Sequence, residues 1–437
     1  MTESYKRLGA VAPTDDKYKL LYTSPAATEA LVSNVTVTNR SASAQTFDVQ
    51  VFENGVTQQS DVDDVILTTF VALSGHQVEQ QNIAASSTDG ITWTERTLPS
   101  SATWHGVTYG NGTFVAVATA YFNDTNIAAS STDGITWTQR TLPLSARWQS
   151  VTYGNGTFVA VAAGYFSGAT TAATSTDGIT WTQRTLPAID YWSSVAHGNG
   201  IFVTVAGDST NKIGTPQSNI AATSTDGITW TQRTLPASDN WSSVVHGNGI
   251  FVIVAGEDYQ HTASTRAASS TDGITWTERT LPSSATWQSV TYGNGTFVAV
   301  GKYPGIGATS TDGITWTQST LPAGGFWQSV TYGNNTFVAV STFTNPGYPR
   351  AATSTDGITW TERTLPAGGL FSAVTYGEEI QTYSPPTQTT LYKTSDIAAN
   401  STEILEPGIA LAPEGAVVVK DNSNGNLTFS TYGVELS

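Results

Sequence analysis

Apolar and polar positions alternate in short runs along most of this chain, punctuated by glycine, asparagine and proline. Ser150 to Tyr153 alternates and ends at Asn155-Gly156, a dipeptide that favours the type I′ turn of a two-residue hairpin. Thr157 to Ala162 supplies the returning strand, and Ala172 to Ser175 a third that runs into Asp177-Gly178. Thr180 to Leu186 reads as a fourth strand, expected to stop at Pro187. No window carries the 3.6-residue apolar period of a helix.

This pattern repeats. The string Ser-Thr-Asp-Gly-Ile-Thr-Trp recurs with its aspartate at Asp89, Asp133, Asp177, Asp226, Asp272, Asp312 and Asp356, in steps of 40 to 49 residues. A second phrase, Trp-Gln-Ser-Val-Thr-Tyr-Gly-Asn-Gly-Thr-Phe-Val-Ala-Val, stands between copies, as at 148–161 and 287–300. All 13 Trp belong to these two phrases, with Phe371 in the one place where the second lacks its Trp. Four antiparallel strands per copy and seven copies predict an all-β chain built on a seven-bladed β-propeller. The first copy opens on what reads as a second strand, Thr69 to Leu73, whereas Phe371 to Gly377 is a first strand without a second. The late segment is therefore expected to complete the first blade and remove the free edge of a broken ring.

The propeller is bounded at 68–378. The flanks, 1–67 and 379–437, lack the repeat but alternate like strands, as in Leu31 to Thr38, Thr46 to Phe52, Ala416 to Lys420 and Leu427 to Tyr432. Entry and exit fall in the same blade, so the flanks are expected to fold together as one discontinuous β-sandwich with the propeller inserted in it.

The repeated string resembles the Asp-box (BNR) repeat of sialidases and related propellers, one residue shorter between Asp and Gly. In such a turn a short Asp accepts backbone N–H bonds, Gly permits positive φ, and the Trp packs between blades. The seven aspartates are therefore read as structural. Calcium needs several oxygens converging at one point, and these sit one per blade. The resemblance also invites a glycosidase, which needs converging arginines and a paired acid and nucleophile. Here Arg96, Arg140, Arg184, Arg233, Arg279 and Arg363 share one position of the repeat, with Ser319 in the sixth copy, and cannot converge on the axis. No catalytic residue, metal or cofactor is expected. His197 and His246 replace the strand-one Tyr of other copies and read as packing substitutions.

In the flanks, Tyr5 to Ala10, Leu21 to Glu29, Val35 to Ala42 and Asp396 to Leu405 with Leu427 to Leu436 resemble a small sandwich domain of tailed-bacteriophage virion proteins, cyanophages among them. That resemblance implies a virion location, docking of the sandwich to other virion proteins, and a homo-oligomer, trimeric or otherwise cyclic.

Net charge is −16, which argues against a nucleic-acid partner, and no run reaches the length of a membrane span. With no Cys there are no disulfides or thiolate sites. The turns joining strands one to two and three to four are nearly constant and fall on one face. The connections from strand two to three fall on the other and vary. They hold Tyr121, Phe122, Tyr165, Phe166, Tyr259, Tyr303, Phe343 and Tyr348, with Tyr191 in a four-to-one connection of the same face. Acids there (Glu79, Asp124, Asp190, Asp208, Asp239, Glu257, Asp258) nearly balance bases (Arg147, Lys212, Arg266, Lys302, Arg350). Aromatic platforms beside amides and carboxylates suit sugar rings. The expectation is a non-enzymatic tail-fibre or baseplate-type protein whose loop face binds a host-surface glycan. The alternatives are a decoration protein without ligand and a sialidase-like hydrolase.

Overall fold

In the computed structural model, side chains are described over 68–378 except 76–79, 120–123, 164–168, 208–217, 257–262, 303–304, 323–324, 343–348 and 367. In 1–67 and 379–437 the description is limited to the backbone of the strands. The chain divides into two compact units, Thr68–Glu379 and Met1–Leu67 with Ile380–Ser437.

The larger unit is all-β and propeller-like. Thirteen of its strands form one hydrogen-bonded path, and three further sheets of four strands follow. The path is long because Thr94–Gly110, Thr138–Gly154 and Thr182–Gly198 each serve first as the outer strand of one repeat and then as the inner strand of the next. Counted that way, each copy of the sequence repeat is one antiparallel four-stranded sheet. We number the repeats one to seven from the copy that holds Asp89. Proline does not end the outer strand as the sequence suggests: Pro99, Pro143 and Pro187 lie within these long strands. An outer strand has no further neighbour to receive an N–H, and the residue before proline is itself held extended, so the chain stays straight. Only in repeats four, six and seven does the strand stop before the proline, as at Thr231–Thr234.

The second strand of each repeat is buried along nearly its whole length, as in Thr157–Ala163. Its Phe and Ala point to one face and its Val to the other, a size alternation that lets successive sheets nest. Val115 and Val117 of repeat two pack on Phe158, Ala160 and Ala162 of repeat three. The same clustering links each repeat to the next, and Val338 and Val340 of repeat seven pack on Phe70 and Ala72 of repeat one. The inner strand of repeat one is Phe371–Gln381, paired to Val65–Ser74. Phe371 is fully buried in the place that Trp104, Trp148, Trp192, Trp241, Trp287 and Trp327 fill elsewhere.

The smaller unit has two antiparallel sheets. Lys6–Val11, Leu427–Leu436, Glu29–Asn39 and Thr402–Leu405 lie side by side in one, with Ile409–Leu411 also on Glu29–Asn39. Tyr18–Thr23, Ala416–Asp421, Gln45–Phe52 and Gln388–Ile397 form the other. Each sheet combines strands from both flanks, so neither flank could form its sheet without the other. There is no helix among the described residues, hence none long and apolar enough to cross a membrane.

Candidate binding site

At the end of the larger unit where the constant turns lie, the turn asparagines and aspartates are bonded within the frame. Asn111, Asn155, Asn199, Asn248, Asn294 and Asn334 have φ between 43 and 49° and are followed by a second positive-φ residue, the type I′ geometry. The turns also reach across: Asn155 Nδ2 donates to the carbonyls of Gly200 (3.1 Å) and Thr225 (3.2 Å) in the next repeat. Asn334 does the same to Thr88 of repeat one at 3.4 Å.

In each of the seven Asp-Gly turns one aspartate oxygen accepts three bonds. For Asp226 these come from Ser224 Oγ (2.9 Å) and the N–H groups of Ile228 (2.8 Å) and Thr229 (2.9 Å). The Thr229 and Ile228 bonds hold the Asp226 carboxyl below its ordinary range, and Asp272 and Asp312 follow suit. At Asp89 and Asp133 burial is the largest single influence and acts upward, but the combined hydrogen bonds outweigh it. The glycine that follows needs both its φ, 73° at Gly227, and its missing side chain, since a Cβ would lie 2.7 Å from Val159 of the preceding repeat. The periodic arginines are rivets: Arg140 Nε donates to Ser130 Oγ at 2.8 Å and Arg184 Nε to Thr174 Oγ1 at 2.9 Å, joining outer strand to third strand. His197 and His246 pack with tilted rings against Phe202 and Phe251 at 4.7 Å, as Tyr153 does against Phe158.

The opposite end is where the sequence places its binding loops. Tyr121, Phe122, Tyr165, Phe166, Tyr259, Tyr303 and Tyr348 lie outside the described residues. Phe343 is not in a loop: its backbone belongs to strand Thr336–Thr344. Nor is Tyr191. It sits in strand Thr182–Gly198 opposite Gly207, half-buried, with the Arg147 guanidinium 5.8 Å from its ring centroid. The extended path through Pro187 carries it there.

That position, immediately before the inner-strand tryptophan, is where the repeat breaks down. From repeat one onward it holds Leu370, Thr103, Arg147, Tyr191, Asn240, Thr286 and Phe326, six residue types over seven repeats in a chain otherwise nearly periodic. One residue earlier, Asp190 and Asp239 interrupt the repeat as acids. Both are engaged in structure. Asp190 accepts from the Tyr191 N–H (2.7 Å) and Ser218 Oγ (2.7 Å). Asp239 accepts from the Asn240 N–H (2.8 Å), Ser264 Oγ (2.9 Å) and Arg266 Nη1 (3.2 Å). A carboxylate whose two oxygens hold a strand start in place is poorly set to shuttle a proton. Among the described residues no three His, Asp or Glu stand close enough to hold a metal ion.

Sequence reasoning missed three buried polar groups at the inner ends of repeats two and three. Thr103 and Thr119, cross-strand partners, are almost fully buried, as is Gln149. None of Thr103 Oγ1, Thr119 Oγ1 and Gln149 Nε2 has a hydrogen-bond partner. His105 Nδ1 lies 3.0 Å from the Gln149 carbonyl, which can only accept, so Nδ1 carries the proton. Burial first, then the Arg147 charge, hold His105 toward its neutral form. The signal was present in the alignment of repeats, where His105 replaces the Gln or Ser found after the other inner-strand tryptophans.

Residues 238–384 match the family model of the DUF6242 beta propeller domain. No curated protein matches the chain. Among solved structures, a catalytically inactive virginiamycin B lyase from Staphylococcus aureus, determined with quinupristin, is similar at 12% identity and a TM-score of 0.50, over 72% of this chain and 94% of that one. Apo AztD from Citrobacter koseri matches at 11% identity and a TM-score of 0.45, over 72% and 98%. YCF48 bound to a D1 peptide matches at 14% and 0.43, again over 72% and 98%. At such identities the likeness is one of fold alone: this chain carries a β-propeller.

Proposed function

We propose that this protein is a non-enzymatic, surface-displayed binding protein, a virion component of a tailed phage of the tail-fibre or baseplate type. On this reading the seven repeats are the blades of a closed ring with Asp-box-like turns. The two-sheet unit is a β-sandwich anchor that docks to other virion proteins in a cyclic homo-oligomer, and the propeller is inserted in it. The variable end of the propeller binds a host-surface glycan.

One observation carries the binding reading. At the turn end the same Asn and Asp side chains recur and are bonded within the frame, whereas the inner-strand starts at the other end carry six residue types over seven repeats. Divergence confined to one end of a constant scaffold is what a binding site needs. Ring closure is supported by the Phe371–Gln381 pairing and the Asn334 bond back to Thr88. The anchor role rests on the flank resemblance. The engagement of Asp190 and Asp239 speaks against hydrolysis.

The test is adsorption. Particles carrying Tyr121, Tyr165, Tyr259 and Tyr348 all changed to Ala should adsorb to host cells at least tenfold more slowly, with an unchanged melting profile. Each lost sugar-stacking surface is worth on the order of 1–2 kcal/mol. Equal adsorption would favour a decoration protein without ligand, and measured glycan turnover would favour a hydrolase.

A further inference from the structure

Seven near-copies of one sheet let each position serve as a control for the others. In repeat seven Gln328, one residue after the inner-strand tryptophan, donates through Nε2 to Thr342 Oγ1 at 3.3 Å, across from it on the second strand. The pair satisfies itself. Repeats two and three divide the same pair between them. Repeat two keeps the threonine, Thr119, but has His105 where the glutamine stands; repeat three keeps the glutamine, Gln149, but has Ala163 where the threonine stands. Thr119 Oγ1 and Gln149 Nε2 are thus left without partners, and Thr103 Oγ1 beside Thr119 makes a third. A buried polar group without a partner is destabilising, and simple exchange of the residue for an apolar one would remove that cost. The groups fall in neighbouring repeats, which meet where His105 Nδ1 donates to the Gln149 carbonyl, at the end where the sequence diverges.

We propose that the inner ends of repeats two and three form a recognition site for a neutral, hydroxyl-bearing sugar ring, with Thr103, Thr119 and Gln149 as its polar contacts and Tyr191 as its apolar wall. The proposal rests on the glycan-binding reading above and names where the sugar sits and what kind of sugar it is. The chemistry selects the ligand. Gln149 Nε2 only donates, the threonine hydroxyls both donate and accept, and neutral His105, protonated on Nδ1, offers Nε2 as an acceptor. Such a mixed set matches hydroxyls, each of which gives and takes a bond. A carboxylate would leave the acceptor unanswered, and an ammonium would meet the Gln149 donor and the Arg147 cation.

The experiment uses the full chain and saturation-transfer NMR with methyl galactoside, methyl mannoside and N-acetylglucosamine, with glucuronate as the charged probe. Wild type should bind at least one neutral glycoside and not glucuronate. Thr119→Val and Gln149→Leu should each weaken binding about tenfold, the worth of one hydrogen bond, without lowering the melting temperature. Thr119→Ser, which keeps the hydroxyl, should retain binding, and so should the control Gln328→Leu. If Thr119→Val and Gln149→Leu bind as wild type does, this site is overturned while glycan binding stands. Preference for glucuronate overturns the hydroxyl assignment. Failure of wild type to bind any probe overturns the site together with the glycan reading.

Discussion

Five of the contacts between neighbouring repeats share a device that the other two lack. Where repeats three to seven meet their successors, a serine two residues after the inner-strand tryptophan accepts the valine N–H of the next inner strand. The bonds run from Val195 to Ser150, Val244 to Ser194, Val290 to Ser243, Val330 to Ser289 and Val374 to Ser329, all 3.1 or 3.2 Å long. On either side of repeat two that serine is missing: Ala373 stands at its place toward Val107, and Gly106 toward Val151. Other bonds remain at these contacts, Ser372 Oγ donating to the Trp104 carbonyl, as Ser242 does to that of Trp287 in a stapled contact, and His105 to that of Gln149. The repeat with weakened staples is also the repeat with orphaned threonines. Periodicity makes a frame robust, so departures from it mark where selection acted on something other than the frame.

The largest disruption should come from removing the strand that brings repeat one into register with its neighbours. Deleting 371–377 takes away Phe371 from its buried cluster and exposes the edge of Val65–Ser74, and should abolish cooperative unfolding measured by calorimetry. A deletion protein with a wild-type melting curve would break this account of closure. Next, Ser243→Ala removes a staple from a contact that has one. It should cost about 1–2 kcal/mol by denaturant titration, because the Val290 N–H loses its acceptor inside the protein. Converting the deficient contact is the reciprocal test. Ala373→Ser should raise stability by about 0.5–1 kcal/mol, whereas Gly106→Ser should not, since its Cβ would lie 3.1 Å from the Gln149 carbonyl and the Ser150 Cα. Equal gains from both would show that the missing hydroxyl alone distinguishes the two contacts.

The smallest effects are those of pH. Burial lowers the pKa of His197, and burial together with the His197 charge lowers that of His246. A histidine whose folded pKa lies below its unfolded value stabilises the protein above about pH 6.5 and loses that contribution as pH falls below it. His197→Tyr and His246→Tyr, which restore the residue of the other repeats, should therefore flatten stability below about pH 6.5. The turn aspartates act lower. Their carboxyls are depressed, so their contribution is present above about pH 4 and disappears as pH drops through the folded values. The histidine variants should leave that second loss intact.

Much of this was legible from residues alone, because the signals are local. Asn155-Gly156 must turn left-handed twice whatever surrounds it, and Ser175 and Asp177 find their partners within three residues. Periodic burial follows just as directly from the Val–Ala alternation of strand two. The candidate site was less legible. Tyr191 reads as a loop residue because proline at 187 reads as a break, and an outer strand's indifference to a lost N–H is a property of its neighbours, not of its sequence.

The sequence by itself determined the number of repeats, their turn types, and the roles of the periodic Asp, Arg and Trp, since each role is completed within one repeat or duplicated in all. Only the tertiary structure decided which residues of different repeats meet. That Arg147 lies over Tyr191, that Asn334 reaches Thr88, and that Gln149 and Thr119 are left without the partners that Gln328 and Thr342 find in each other are outcomes of packing across a seam. A hydrogen bond needs its partner within about 3 Å, and no spacing along the chain reports that distance.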